Sequence, residues 1–406
     1  MRYSYIILLI ITELFFAYQF VLRVLPSMII TEIMEKFQID ATSFGILSAV
    51  YYFSYALMQI PVGLLLDRYG PRYIVALSAF ICIVGNLTFI YSSNFHLALV
   101  GRFLIGLGSI AGFLGASKAI SIGFDKKYFN YLMNVTFICG YLGPLISSKL
   151  PFVIHDMGWE KLLLNLSIFA GIIGLILLLL PVKYSKQTQN DQSVVKSLGA
   201  VFKNPRLLLV AVCGLLQVGP LEAFADVWGV EYLTKIYGYK PHQAATLTAM
   251  IYLGLCVGGP LVSYFAEKTK SHYYTASACG FIMCLIFLFI INNNYLPYNL
   301  LLILMFVIGA LSACQIITFA INCSALPTHI GVVTAMTNMV IMSAGSFFNF
   351  IIGHSLDLHN DGNLADSGTV IYNELAFQKS FAIFPITLII GSIGFIILNR
   401  FKNDRN

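Results

Sequence analysis

The chain has 406 residues, of which 58% are hydrophobic and only 10% charged, and its mean hydropathy is +0.83. A water-soluble domain keeps about a quarter of its residues charged, so a cytosolic enzyme, a secreted disulfide scaffold and a disordered chain are excluded. The net charge of +6 marks no nucleic-acid surface, because the positive residues are scattered between apolar runs and gather on no face.

Apolar runs of about 20 residues match the length of a helix that crosses a bilayer. The ten-residue alternation of a membrane barrel is missing. Twelve spans are predicted: 5–29, 42–66, 73–92, 95–121, 130–150, 161–182, 207–228, 242–264, 273–292, 297–323, 331–353 and 378–399. The first follows Arg2 like a secretory signal, but its length, its Glu13 and the lack of an A-x-A-like cleavage site predict a retained span. It also carries Tyr18, Gln19 and Arg23, and the second carries Tyr51, Tyr55 and Gln59. The loop after the second reads Gly63-Leu-Leu-Leu-Asp67-Arg68-Tyr-Gly70-Pro-Arg72. Its glycines are expected to allow close helix approach and a tight turn. Asp67 is expected to meet a neighbouring helix N-terminus or an arginine.

The fourth span holds Arg102, Lys118 and Gly108-x-x-x-Gly112, a pattern that permits tight helix crossing. Gly143-Pro144 in the fifth and Gly219-Pro220 in the seventh are expected to kink their helices. Between the sixth and seventh lies the longest polar stretch, Lys183 to Asn204, with a short surface helix expected from about Ser193. It separates an N-terminal bundle, 1–182, from a C-terminal bundle, 207–406, through a cytoplasmic linker, 183–206. The seventh span adds Glu222 and Asp226, and the tenth adds Gln315 and Asn322. The loop from Leu356 to Phe377, with His354, Asp357, His359 and Asp361 nearby, is read as solvated and not as a metal site. All eight cysteines lie in apolar runs and read as buried free thiols.

With both termini and the linker in the cytoplasm, inside segments hold fifteen Lys/Arg and outside loops five. This bias predicts that topology. The halves also repeat. Ser263-Tyr-Phe-Ala-Glu267-Lys268 follows the eighth span 200 residues after Gly63, and Phe306-Val-Ile-Gly309 echoes Phe103-Leu-Ile-Gly106 at an offset of 203. The expected fold is an all-α membrane protein of twelve transmembrane helices in two pseudo-symmetric six-helix bundles. Duplicated halves are a mark of alternating-access transporters with a site near mid-membrane.

Gly63 to Arg72 matches the loop motif G-x-x-x-D-R/K-x-G-x-R/K, and Arg102-Phe-Leu-Ile-Gly106-Leu-Gly108 follows the fourth-span motif, of the major facilitator superfamily, which the chain resembles over its whole length. Gly140-Tyr-Leu-Gly143-Pro144 resembles the fifth-span antiporter motif in part. Leu22-Arg23-Val-Leu-Pro26-Ser27, Tyr55 to Gly63 and Ala223-Phe-Ala-Asp226-Val-Trp228-Gly229 carry a narrower resemblance, to the phagosomal amino-acid transporters of intracellular bacteria and the related lysosomal dipeptide transporters. The superfamily resemblance implies that Gly63, Asp67, Arg68, Gly70 and Arg72 latch one of two states, with Glu267 at the symmetric place. It also implies a multi-pass protein of a bacterial inner membrane, expected to be a monomer.

Glu13, Arg23, Arg102, Lys118, Glu222 and Asp226 lie within spans. Each costs about 2.5–3.5 kcal/mol at a helix centre, so pairing, water or substrate must compensate. Mutual pairing that only holds helices together is one reading. The other is a cavity with a positive and a negative wall, because the repeat places Met305 opposite Arg102 and Ile321 opposite Lys118. Arg23 lies roughly 9 Å below the end of its span, with Arg102 and Glu222 at similar depth. Two guanidiniums can chelate a carboxylate, and Glu222, with Asp226, can accept an ammonium.

The expected substrate is therefore a small zwitterion, an amino acid or short peptide, imported by alternating access. Tyr18, Gln19, Tyr51, Tyr55, Gln59, Gln217, Gln315 and Asn322 are candidate lining residues, each equally open to a role between helices. Glu13 and Lys118 are candidates for energy coupling, with proton symport favoured over facilitated diffusion. No cofactor or metal is expected, and the partners are the solute, protons and the lipid bilayer. The alternatives are proton-driven efflux of drugs or siderophores, and a membrane sensor that binds without transport. An enzyme is not expected, since H-E-x-x-H and G-x-S-x-G are both absent.

Overall fold

The computed structural model describes residues 2–182, 199–269, 271–293, 295–326, 330–362 and 370–403. The helix expected from Ser193, and the linker up to 198, lie outside the described residues. Among the described residues, ten helices are long and apolar enough to cross a bilayer, and two bent pairs, each taken as one span, bring the number to twelve. They are α1 (Tyr3–Met28), α2 (Ala41–Leu57 with Gln59–Tyr69), α3 (Pro71–Ile90), α4 (Phe95–Gly123), α5 (Tyr131–Ser147 with Leu150–Met157) and α6 (Trp159–Leu179). Then follow α7 (Pro205–Lys235), α8 (Pro241–Lys268), α9 (His272–Ile291), α10 (Tyr298–Ala325), α11 (Gly331–Leu358) and α12 (Glu374–Arg400). Each overlaps one expected span.

Proline explains the bends, though not always the expected one. α2 turns by 46° at Met58, where Pro61 has no N–H for the carbonyl of Leu57. α5 turns by 46° between Ser147 and Leu150, where Pro151 leaves the carbonyl of Ser147 without its donor. The helix runs unbroken through Pro144, so the expected kink at Gly143-Pro144 falls instead at Pro151. α7 also continues past Gly219-Pro220 to Ala223. It then widens into a π-helical turn, Phe224–Trp228, closed by the Gly229 N–H on the Phe224 carbonyl.

Two helices are interrupted without any proline. α4 breaks at Ile110, and α10 breaks at Ala313 and Cys314. Position 313 follows 110 by 203, the offset of the sequence echo. Beyond the α10 break the ladder tightens, with Ile316 N–H on the Ala313 carbonyl and Ile317 N–H on that of Cys314.

By density of contacts the chain forms two units, Met1–Pro26 with Val50–Asp191, and Ser27–Ala49 with Gln192–Asn406. In the first, α3 packs on α4 and α6, and α1 packs on α4 and α5. Asn86 of α3 donates to the Tyr18 hydroxyl of α1 at 3.2 Å and to Ser167 of α6 at 3.1 Å. A Cβ on Gly108 would stand 2.6 Å from the Ser78 carbonyl, and one on Gly112 would stand 3.1 Å from the Phe16 backbone. The expected tight crossing is thus two crossings, with α3 and with α1.

In the second unit, α7 packs on α11 and α12, α8 on α10, and α9 on α12. The pairings α1–α5 and α3–α6 therefore recur six helices later as α7–α11 and α9–α12. Phe224 sits among Phe287 and Phe381, each 5.8 Å away ring to ring. The first residues of α2 also belong here. The N–H groups of Ala41 and Thr42 donate to the Asp357 carboxylate at 3.3 and 2.7 Å, and the Thr42 and Tyr372 hydroxyls join them. Burial, with Asp357 alongside, pushes the Tyr372 hydroxyl well up, so it remains a donor. Gly353 lets the Ala41 backbone approach, and Gly45 does the same for Asn349.

Ile168, Ile172, Leu175 and Leu179 on α6, and Ile386, Ile390, Ile393 and Ile397 on α12, are exposed. Their spacing of three and four places each set on one face. Such stripes suit hydrocarbon, where only the helix's own backbone bonds are needed. All eight cysteines are free thiols.

Candidate functional site

Two buried guanidiniums mark the first unit. Arg23 of α1 is 6% exposed and Arg102 of α4 is 3% exposed. Tyr51 of α2 stands beside both, its ring centre 6.0 Å from the Arg23 guanidinium carbon and 4.8 Å from that of Arg102. The Arg23 head is further surrounded by Phe20 at 4.5 Å, Tyr55 at 5.3 Å and Tyr52 at 5.5 Å. Aromatic faces attract a cation electrostatically, and more so where water is thin.

Small residues and helix ends hold this arrangement. A Cβ on Gly106, one turn from Arg102, would overlap the Tyr51 carbonyl and the Ser54 hydroxyl. Glycine there lets α2 lie against α4 and brings Tyr51 to Arg102. The Tyr51 hydroxyl donates to the Gln19 side-chain carbonyl at 3.0 Å. Arg102 Nη1 donates to the carbonyl of Leu22 at 3.2 Å. The α-helical donor for that carbonyl would be residue 26, which is proline. Three buried polar groups here make no hydrogen bond among the described residues: Arg102 Nε, Gln19 Nε2 and both amide atoms of Gln59. Buried donors and acceptors are rarely left so, and a polar ligand or water is the usual explanation.

Of the other expected residues in this unit, Tyr18 accepts from Asn86 and packs against Phe15 and Phe169, so it joins helices. Glu13 accepts from Thr136 at 3.0 Å and from Cys139 at 3.4 Å, both on α5. Lys118 lies with the loop motif, its Nζ 2.6 Å from Asp67 Oδ1. Arg72 donates to the last carbonyls of α6, at Leu177 with 3.0 Å and at Leu178; Leu177 also takes the Leu180 N–H. Arg68 is exposed over Tyr69. Gly70 has φ of +80°, the tight turn expected. Gly63 differs from expectation, because a Cβ there meets nothing within 4 Å and no close approach depends on it.

In the second unit, Glu222 and Asp226 of α7 are both buried at 1% exposure. Asp226 lies in the π-helical turn, an irregularity often found at functional sites. Trp228 ends that turn against Phe44, with a ring separation of 5.4 Å, and its indole N–H has no acceptor among the described residues. Gln217 is engaged by Ala276, Ser392 and Cys314. Asn322 donates to Leu207 and Thr337 at 3.1 and 2.9 Å, so it joins α10 to α7 and α11. Gln315 is half-buried and opens the second part of α10 just after its break. Glu267 is exposed and forms no ion pair among the described residues. In the sequence, Tyr51 stood only among possible lining residues, and its central place was missed. The signal was Gly106, whose spacing from Arg102 marks the face that α2 approaches.

Comparison with known proteins agrees with this architecture. The transporter YybO of Bacillus subtilis is 25% identical over 93% of this chain and 89% of its own length. The nitrite extrusion protein of the same species is 21% identical over 61% of this chain and 62% of its own. The crystal structure of the nucleoside transporter NupG superposes with a TM-score of 0.76 at 15% identity, covering 97% of this chain and 98% of that one. A bacterial homologue of the human lysosomal transporter Spinster, inward-facing and occupied, superposes with 0.75 at 13% identity, covering 97% and 96%. The family profile of the Major Facilitator Superfamily matches residues 11–349. The chain is therefore a multi-pass membrane transporter, not an enzyme, and it belongs to the major facilitator superfamily.

Proposed function

We propose that this transporter imports a small zwitterion, an amino acid or short peptide. Arg23, with Arg102 beside it, receives the carboxylate; Glu222, with Asp226, receives the ammonium. The reading is carried by one observation: the first unit buries Arg23 and Arg102 about one tyrosine ring, and the second unit buries two acids on α7. Buried charges in membrane helices are costly and are kept where they serve a substrate or ion path. The segments around Arg23 and Asp226 that resemble amino-acid and dipeptide transporters support the same class. Tyr55, Gln59 and Gln315 complete the set. Tyr18 and Asn322, whose hydrogen bonds join helices, drop out of it.

Asp67, Arg68, Gly70 and Arg72 form the latch, with Lys118 as its partner in place of a coupling role; Gly63 belongs to it by motif, and the exposed Glu267 drops out of it. Glu13 remains the coupling carboxylate, in a proton symport. The positive-inside bias supports cytoplasmic termini, and the chain works as a monomer in a bacterial inner membrane. Uptake of labelled alanine and dialanine into proteoliposomes tests the proposal. Arg23→Gln and Glu222→Gln variants that insert normally are expected to lose uptake by about tenfold or more. Full uptake by both ends it. Internal acidification driven by substrate identifies symport, and its absence identifies uniport.

A second reading, an anion without an amine, is favoured by the guanidinium pair and by the relative named for nitrite. It predicts that Glu222→Gln leaves uptake of acetate or nitrite unharmed.

A further inference from the structure

The two arginines are not equivalent. The α-helical part of α1 ends at Val24, and Pro26 in the 3₁₀ turn that follows has no N–H, so the carbonyl four positions back, Leu22, loses its helical donor. Arg102 Nη1 reaches that carbonyl from α4 at 3.2 Å. The bond lands on the peptide that joins Leu22 to Arg23. Arg102 is also fixed from behind, by the Tyr51 ring at 4.8 Å, and Tyr51 is fixed by Gln19 at 3.0 Å. A buried carbonyl without a donor is costly, so Arg102 answers a need that the proline creates.

We infer that Arg102 is a positioning residue: by capping the Leu22 carbonyl it sets the backbone, and hence the side-chain bearing, of Arg23, which alone meets the substrate carboxylate. The inference rests on reading Arg23 as the carboxylate anchor. It reassigns the fourth-span arginine from ligand to support, and it makes Pro26 and Arg102 a matched pair. A residue with an N–H at position 26 supplies the missing donor and makes the cap dispensable.

The test compares Arg102→Gln, Pro26→Ala and the double variant in the full-length protein, purified into lipid nanodiscs. Affinity for alanine and dialanine, and the thermal midpoint without ligand, are both measured. Arg102→Gln is expected to weaken affinity at least tenfold and to lower the midpoint. The double variant is expected to return to within threefold of the parent in affinity and to regain the midpoint. Arg23→Gln with Pro26→Ala is expected to show no such recovery. Should Arg102→Gln fail to insert, Arg102→Lys, which keeps one donor for the carbonyl but loses the fork, is expected to bind within threefold of the parent.

A double variant that regains the midpoint but not the affinity shows Arg102 to be a direct ligand and overturns the inference. A double variant that regains neither overturns it as well. If the parent binds neither probe, the zwitterion reading fails by itself. The midpoints then decide the cap: recovery in the double variant supports it, and no recovery overturns it.

Discussion

Lys118 of α4 holds Asp67 across the end of α2, Nζ to Oδ1 at 2.6 Å, with both side chains largely shielded from solvent. Asp67 is thus tied to a lysine 51 positions away inside its own unit. The corresponding residue in the other half is Ile321, and the corresponding acid, Glu267, is exposed. Among the described residues, the second copy of the motif forms no such ion pair.

Asp67→Asn and Lys118→Met should each slow turnover by about tenfold, the effect of removing roughly 1.4 kcal/mol from one of two alternating states. Substrate affinity should change much less. Rates of uptake and binding isotherms check this. Glu267→Gln should leave both unchanged.

Gly106 and Gly63 should respond in opposite ways. Valine at 106 must displace the Tyr51 carbonyl and the Ser54 hydroxyl, an overpacking cost of about 1–3 kcal/mol. Alanine at 63 meets no neighbour within 4 Å and should raise helix stability by up to about 1 kcal/mol. Thermal midpoints of the purified variants measure both. A fall in turnover by Gly63→Ala without a fall in midpoint would place its need in the alternate state.

Asn322→Ala removes bonds to Leu207 and Thr337, which should cost about 1–3 kcal/mol of stability with little change in affinity. Gln59→Ala removes an amide with no protein partner among the described residues. It should leave the midpoint alone and weaken binding. Paired melting and binding curves separate the two roles.

Asp357→Asn removes the charge that faces the first N–H groups of α2. Loss of such a cap should cost about 1 kcal/mol. The midpoint should fall in Asp357→Asn and fall further in Asp357→Ala, which also abandons the Thr42 and Tyr372 hydroxyls.

Hydropathy revealed all twelve crossings, because the length of an apolar run is a property of the chain alone. The direction in which a side chain points around its helix is not, and here the reading faltered. Tyr18 and Arg23 share α1, yet one turns to Asn86 and the other into a ring of aromatics. Lys118 looked like a charge for the cavity because its depth was known and its facing was not. The bend in α5 lies at Pro151, while the helix runs unbroken through Pro144. The π-helical turn at Asp226 has no sequence mark beyond a nearby proline. The burial of Arg23, Arg102, Glu222 and Asp226 was legible because charge in an apolar run is rare enough to stand out.

The breaks at Ile110 and at Ala313–Cys314 share a place in the two copies, although the residues around them have diverged. Amide protons next to a helix break have fewer or poorer helical bonds than those of unbroken helix, as Ile316 and Ile317 show beyond the second. In heavy water they should exchange earlier than amides a turn away at the same depth. Deuterium uptake at these two points would then act as a pair of internal clocks, one for each copy of the ancestral bundle.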